Sequence, residues 1–362
     1  MVYALFFIIL IFGALFTKYR SGNLIYLTII MFLLLGIIGL RDTSVGTDTL
    51  GYTQDFIRFS YLSFSEMIAT ASTSKEPLYV FVSWLPSILT TNYTAFLLTW
   101  ALFPVCSLYN VFKEKLQDSK DYMIAIIVFF LLGLFAFYVA GIRQTAALSL
   151  ALFAGTKYLK KPETIRIRSV LKDKNIYKFA FLIGLAYMVH NSSILFLIAI
   201  PFLFIKVRWW YSILVIGLFF IGKYIHIDQL VVLSKLFFEE RFATYGTVYE
   251  SSQNTSALIM QCILFFICFV VKGRLVKSNG QNNFLLNMMF LGLVFQSLSS
   301  MLAEMSRISF YFTMFSMILV PRAFKEFPAK HRGLLYFGFT IVSIYYLFFL
   351  TGSNLPEYQF HF

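Results

Sequence analysis

Charge is what this chain has least of. Only 13% of its residues are Asp, Glu, Lys or Arg, where a soluble domain carries about 25%. With 59% hydrophobic residues and 44 phenylalanines, a water-soluble fold of this length could not hide its apolar surface. The apolar runs are continuous rather than alternating, which predicts membrane-spanning helices and not a β-barrel. Cysteine is scarce as well. Cys106, Cys262 and Cys268 each lie inside an apolar run without metal-ligand spacing, so they read as small core residues and carry no redox information. Also missing are H-E-x-x-H, the full P-loop G-x-x-x-x-G-K-[ST], G-x-S-x-G, and a G-x-G-x-x-G after a strand. No metal, no cofactor and no coupling to ATP within this chain is expected.

The charge that is there is unbalanced, at +13. The basic residues fall in short links between apolar runs, a positive-inside pattern rather than a nucleic-acid footprint, so no nucleic-acid partner is expected. Spans are predicted at about 2–16, 24–40, 93–112, 121–139, 141–159, 177–190, 191–206, 209–224, 255–272, 283–303, 306–321 and 333–350. Met1 to Phe16 lacks a basic n-region and an A-x-A site, so it reads as a retained first span. Pro77 to Leu89 is too short to cross and reads as a re-entrant or surface helix on the outer side. With both termini outside, the inner links hold 22 of the 30 Lys and Arg, whereas the outer side keeps 11 of the 17 acids. Counting Pro77 to Leu89 as a crossing would put every later basic cluster on the wrong face. The expected fold is thus an all-α polytopic membrane protein of about twelve transmembrane helices, forming a single domain over 1–362. Outer segments 41–76 and 225–254 are expected to carry interfacial helices.

The stretch Arg41-Asp42-Thr43-Ser44-Val45-Gly46-Thr47-Asp48-Thr49-Leu50-Gly51-Tyr52 ends an apolar run with a cation, two carboxylates, three threonines and two glycines. A mere anchor has no need of such a loop. Arg41, Arg143 and Arg307 each sit at the outer end of a span, where a charge is costly and usually functional. In Gly141-Ile142-Arg143-Gln144 a guanidinium and an amide share a tight turn. Arg143 either snorkels to lipid phosphate or grips a diphosphate with its planar fork. Three arginines at one depth and facing one another would make a site for a strongly anionic group. Asp42, Asp48 and Glu304 either neutralise these cations or act on substrate, and Asp48 is also placed to cap the helix that starts at Thr49. Gly46 and Gly51 read as turn residues with positive φ. His190, in His190-Asn191-Ser192-Ser193, is either a packing residue or a base for an attacking sugar hydroxyl.

These segments, together with Glu76-Pro77-Leu78-Tyr79 and Arg307-…-Tyr311-Phe312, resemble in order the signature segments of the EpsG-like family of exopolysaccharide proteins, grouped with Wzy-type polymerases of capsule and O-antigen synthesis. The resemblance implies a metal-independent glycosyltransferase in a bacterial plasma membrane, with its site facing outward. It would transfer a growing glycan from undecaprenyl diphosphate to the non-reducing end of a lipid-linked repeat unit. Its partners would be those lipid-linked oligosaccharides, the bilayer, and a flippase and chain-length regulator of the same pathway. By the same carry-over Arg143 and Arg307 hold the diphosphate with Arg41 and Gln144 assisting, and His190, Asp48 or Glu304 acts as the catalytic group. Tyr52, Tyr311 and Asn191 would contact sugar. Two rival classes stand beside this one: a flippase of lipid-linked oligosaccharide, and a membrane O-acyltransferase using His190. The concentration of polar candidates at outer ends counts against both.

Overall fold

The computed structural model describes residues 1–17, 19–159, 173–224, 255–299, 304–350 and 354–361. The first part of the chain forms α1 (Val2–Phe16), α2 (Arg20–Gly39), α3 (Thr49–Ser60), α4 (Phe64–Thr73), α5 (Pro77–Ser87), α6 (Tyr93–Lys115), α7 (Ser119–Leu131), α8 (Leu134–Ala140) and α9 (Ile142–Tyr158). After it come α10 (Lys174–Val189), a 3-10 helix at Asn191–Ile198 that runs on to Phe202, and α11 (Tyr211–Tyr224). The last part holds α12 (Thr255–Val270), α13 (Lys272–Ser278), α14 (Asn282–Ser297), α15 (Glu304–Thr313), α16 (Ser316–Glu326) and α17 (Ala329–Tyr345). Among the described residues the only extended pairing is a single antiparallel bridge between Arg41 and Phe360.

Local chemistry accounts for where helices start and break. Asn92 accepts from the Thr94 amide to cap α6, Asp118 accepts from Asp121 to cap α7, and Ser63 with Glu66 forms a capping box on α4. Pro77 opens α5, where its missing N–H costs nothing. Gly133 takes φ 71° and bends α7 against α8 by 65°, so the expected span 121–139 is two helices.

Every residue of α7 except Lys120 is buried, so this helix forms the middle of the main core. By length and composition, three helices are fit to cross a membrane: Ser21–Gly39, Tyr93–Lys115 and Ala329–Leu350. Two bent pairs, α7 with α8 and α12 with α13, bring that number to five. The other expected spans are shorter, Val2–Phe16 and Asn191–Phe202 among them. Large apolar side chains such as Phe12, Phe32, Phe181 and Phe337 face outward, as in a membrane protein.

The helix termini collect at two ends. At the basic end the Ser119 hydroxyl donates to the Ala14 carbonyl, Lys325 pairs with Asp118 and Asp121, and Arg322 donates to the Lys115 carbonyl and the Asn282 side chain. At the opposite end lie Arg41, Glu76, Arg143 and His190. There α3, α4 and α5 fold into a cap. Phe56, Phe59, Met67 and Tyr79 pack inward on Phe96, Trp100, Ile142 and Val189, while Tyr61, Phe64 and Ile68 stay exposed. Burying each such aromatic ring contributes about 1.5–3 kcal/mol, which fixes the cap on α6, α9 and α10. The second expected interfacial segment, 225–254, lies outside the described residues.

Candidate functional site

Three helix termini meet beneath this cap. Glu76 precedes Pro77 and occupies the N-cap of α5. Gly141 ends α8 and starts α9, which puts Arg143 in the first turn of α9. His190 ends α10 in an extended conformation, so the chain leaves the helix and enters the 3-10 turn.

The Glu76 carboxylate joins them. Its Oε2 accepts from Arg143 Nη1 at 2.7 Å, and its Oε1 lies 2.7 Å from His190 Nδ1. The Asn191 amide adds a longer bond of 3.4 Å. The side chain of Glu76 is 11% exposed, against 26% for His190 and 39% for Arg143. Burial alone would raise the Glu76 carboxyl, but the His190 bond and the Arg143 charge outweigh it and hold the group below the usual carboxylate range.

The Arg143 guanidinium sits 5.5 Å from the Tyr52 ring centroid and 5.1 Å from that of Tyr79, which fixes its plane. Tyr79 in turn donates to Asp55 at 3.1 Å. Three buried polar atoms here have no protein partner: Arg143 Nε, Asn191 Oδ1 and Ser193 Oγ. Such groups are rare in native interiors.

The 3-10 turn is tied to α15 by a hydrogen bond of 3.1 Å between Ser192 Oγ and the phenol of the fully buried Tyr311. Gln144 Nε2 donates to the Arg307 carbonyl at 3.1 Å. These bonds bring α9, the His190 turn and the start of α15 together. They also engage Gln144 and Tyr311 in structure. The Arg307 side chain is exposed, and Glu304 beside it is half-buried with no ion pair among the described residues.

The loop 41–49 behaves differently from the expected three-arginine cluster. Arg41 is only 1% exposed, and its guanidinium donates to the Ile38 carbonyl and, at 3.4 Å, to Thr49 Oγ1. Its Nε and Nη1 are thereby engaged by its own loop, and among the described residues its buried Nη2 has no hydrogen-bond partner. Desolvation lowers its pKa to about 10 against the opposing pull of Tyr358 and Tyr52. Asp48 is the N-cap residue of α3, as expected, but its exposed side chain makes no capping bond. Gly46 has φ 94°, and a Cβ there would stand 2.7 Å from the Val139 carbonyl oxygen. Gly51 is an ordinary helical residue inside α3, not the positive-φ turn expected of it.

A strap, 354–361, closes the loop from outside. The Asp42 amide donates to Gln359 and the His361 amide to Leu40, both at 3.0 Å, while His361 Nδ1 lies 3.5 Å from Asp42 Oδ2. Strap and loop share a cavity of about 310 Å³ with α8 and α15, lined by Gly46, Thr47, Phe137, Ser306, Phe310 and Pro356. Glu76 and His190 lie outside that cavity, and the Gln144–Arg307 bond connects its wall to them.

Reading the sequence alone left Glu76 out of the site. Its signal was Pro77, which fixes a carboxylate at a helix N-terminus. Among the described residues no three His, Cys, Asp or Glu side chains come together as metal ligands. In comparisons with known proteins, the model of the EpsG family matches residues 24–360. No curated protein and no solved structure matches the chain.

Proposed function

The chain belongs to the EpsG family, one of Wzy-type polysaccharide polymerase-like membrane proteins, and from that premise we propose a specific reaction. The protein transfers a growing glycan from undecaprenyl diphosphate to the non-reducing end of a lipid-linked repeat unit, on the outer face of a bacterial plasma membrane. The observation that carries this reading is the Arg143–Glu76–His190 cluster.

With Glu76 ionised, His190 keeps its proton on Nδ1 and presents the Nε2 lone pair. Nε2 takes the proton of the acceptor hydroxyl as that oxygen bonds to the anomeric carbon of the donor. The bond from that carbon to the diphosphate oxygen breaks, and the diphosphate leaves with the electron pair. Arg143, held against two rings, and Arg307, whose side chain is exposed, take up the developing charge. A diphosphate ester is already activated, so positioning and charge stabilisation suffice without ATP or a metal. Asn191 Oδ1 accepts from a sugar hydroxyl, Tyr52 and Tyr311 shape the sugar subsites, and Arg41 acts through the loop it braces. Asp48 and Glu304 are further candidate carboxylates.

In the membrane, the basic end faces the cytosol by the positive-inside rule, and both termini lie outside. About twelve segments cross, several through shortened or broken helices. The test is Arg143→Ala in cells. Single lipid-linked repeat units should accumulate on the outer leaflet while long polymer disappears. Accumulation on the inner leaflet would replace this reading with a flippase, and loss of O-acetyl groups at normal polymer length would replace it with an acyltransferase.

A further inference from the structure

A second cavity, of about 890 Å³, opens at the basic end between α1, the start of α7 and α17. Its mouth is cationic. On the rim Lys325 pairs with both Asp118 and Asp121 at 3.0 and 2.6 Å, while among the described residues Lys120 and Arg332 form no ion pair, so these five groups carry a net charge of +1. The Lys120 ammonium rests 5.9 Å from the centroid of the Tyr336 ring. Arg332 donates through Nε to the Phe327 carbonyl at 2.8 Å, which leaves its outer N–H groups for another acceptor.

Below the mouth the walls are apolar. Gly333, Phe337, Ile341, Tyr345 and Phe349 follow one another at four-residue spacing on a single face. At about 1.5 Å per residue this row runs for roughly 25 Å, most of the ~30 Å thickness of a bilayer core. Thr340, which also lines the groove, has a buried hydroxyl with no hydrogen-bond partner, a donor suited to an ester carbonyl. Only 17% of the best window of this helix is buried in the protein, so the groove opens sideways toward lipid.

We propose that this groove is a binding site for an anionic diacyl phospholipid, with the phosphate between Lys120 and Arg332 and an acyl chain along α17. Two cations outside any ion pair, at a rim of net positive charge above an apolar trough, match that shape and charge, and basic pockets between spans are suited to anionic headgroups. The site is distant from the Glu76 cluster, and its occupancy does not depend on glycan chemistry.

The test uses the full chain, stripped of lipid in detergent, with bound lipid counted by native mass spectrometry. Phosphatidylglycerol should be retained about tenfold or more over phosphatidylcholine of the same acyl chains. The paired change Lys120→Gln with Arg332→Gln should abolish the preference. Gly333→Phe, where an added Cβ meets nothing within 4 Å, should fill the mouth and remove the retained lipid with the charges intact. Equal retention of the two lipids, or a preference that survives loss of both cations, overturns the proposal. So does full displacement by excess inorganic phosphate, which would mark a headgroup-only anion site. The assay needs no turnover, so it stands or falls separately from polymerase activity.

Discussion

Replacing Glu76 with glutamine would test the site at its joint. The carboxylate accepts from two donors, one on each oxygen: Arg143 Nη1 and His190 Nδ1, each at 2.7 Å. A glutamine keeps the shape but presents one acceptor and one donor. Arginine has no lone pair to offer, so the amide NH2 must turn toward His190. Nδ1 would then have to accept, the ring proton would move to Nε2, and the base would be lost while the fold remains. Losing a general base costs typically 10²–10⁴ in rate, and a fall of about that size is expected in Glu76→Gln. The stability cost is smaller. Charge-assisted bonds contribute about 1.5–3 kcal/mol when buried, but Arg143 is 39% exposed, so solvent screening reduces the expected loss to about 1–2 kcal/mol. The assay is polymerisation of lipid-linked repeat units by purified protein, read as product length and initial rate beside a melting curve. A variant that polymerises within about threefold of the wild-type rate would refute the assignment of His190 as the base.

Arg143→Lys keeps the charge and loses the planar fork that lies over Tyr52 and Tyr79. It should slow polymerisation by about tenfold or more, and a near-normal rate would show that bidentate geometry is unimportant. Because Glu76 titrates below its ordinary value in the folded protein, its stabilising effect is complete above the unfolded carboxylate pKa and is lost as pH falls through the lower folded one. Melting temperatures of wild type and Glu76→Gln should therefore converge only in that acidic window. Gly46→Ala places a methyl against the Val139 carbonyl at φ 94° and should destabilise by about 1–2 kcal/mol, seen as a lower melting temperature. Tyr311→Phe removes one hydrogen bond, to Ser192, and should cost about 1 kcal/mol.

The all-helical character and many of the helix positions were legible in the sequence because apolar run length expresses itself locally, but among the described residues only three to five of the twelve expected spans are helices long and apolar enough to cross. The meeting of His190 with Arg143 was legible only as a hope of convergence, since 47 positions separate them and nothing local fixes their approach. Glu76 brings them together, and in the sequence it stands out only within the segment Glu76-Pro77-Leu78-Tyr79, with no local sign of a partner. Arg41 misled for the opposite reason. A cation at a span end signals function, yet here the unpaired carbonyl of Ile38 at the end of α2 is enough to hold it. The break at Gly133 was equally silent, because the hydrophobic run continues straight through it.

Loop 41–49 is completed by residues synthesised much later than itself. Its Thr49 hydroxyl lies 3.5 Å from the Val139 carbonyl, 90 positions downstream, and its backbone at Asp42 is paired by Gln359. A nascent chain still on the ribosome can thus have its early helices in the bilayer while the outward face is unfinished. Translation of the 354–361 strap, and not insertion of α1 or α2, would be the event that completes this loop.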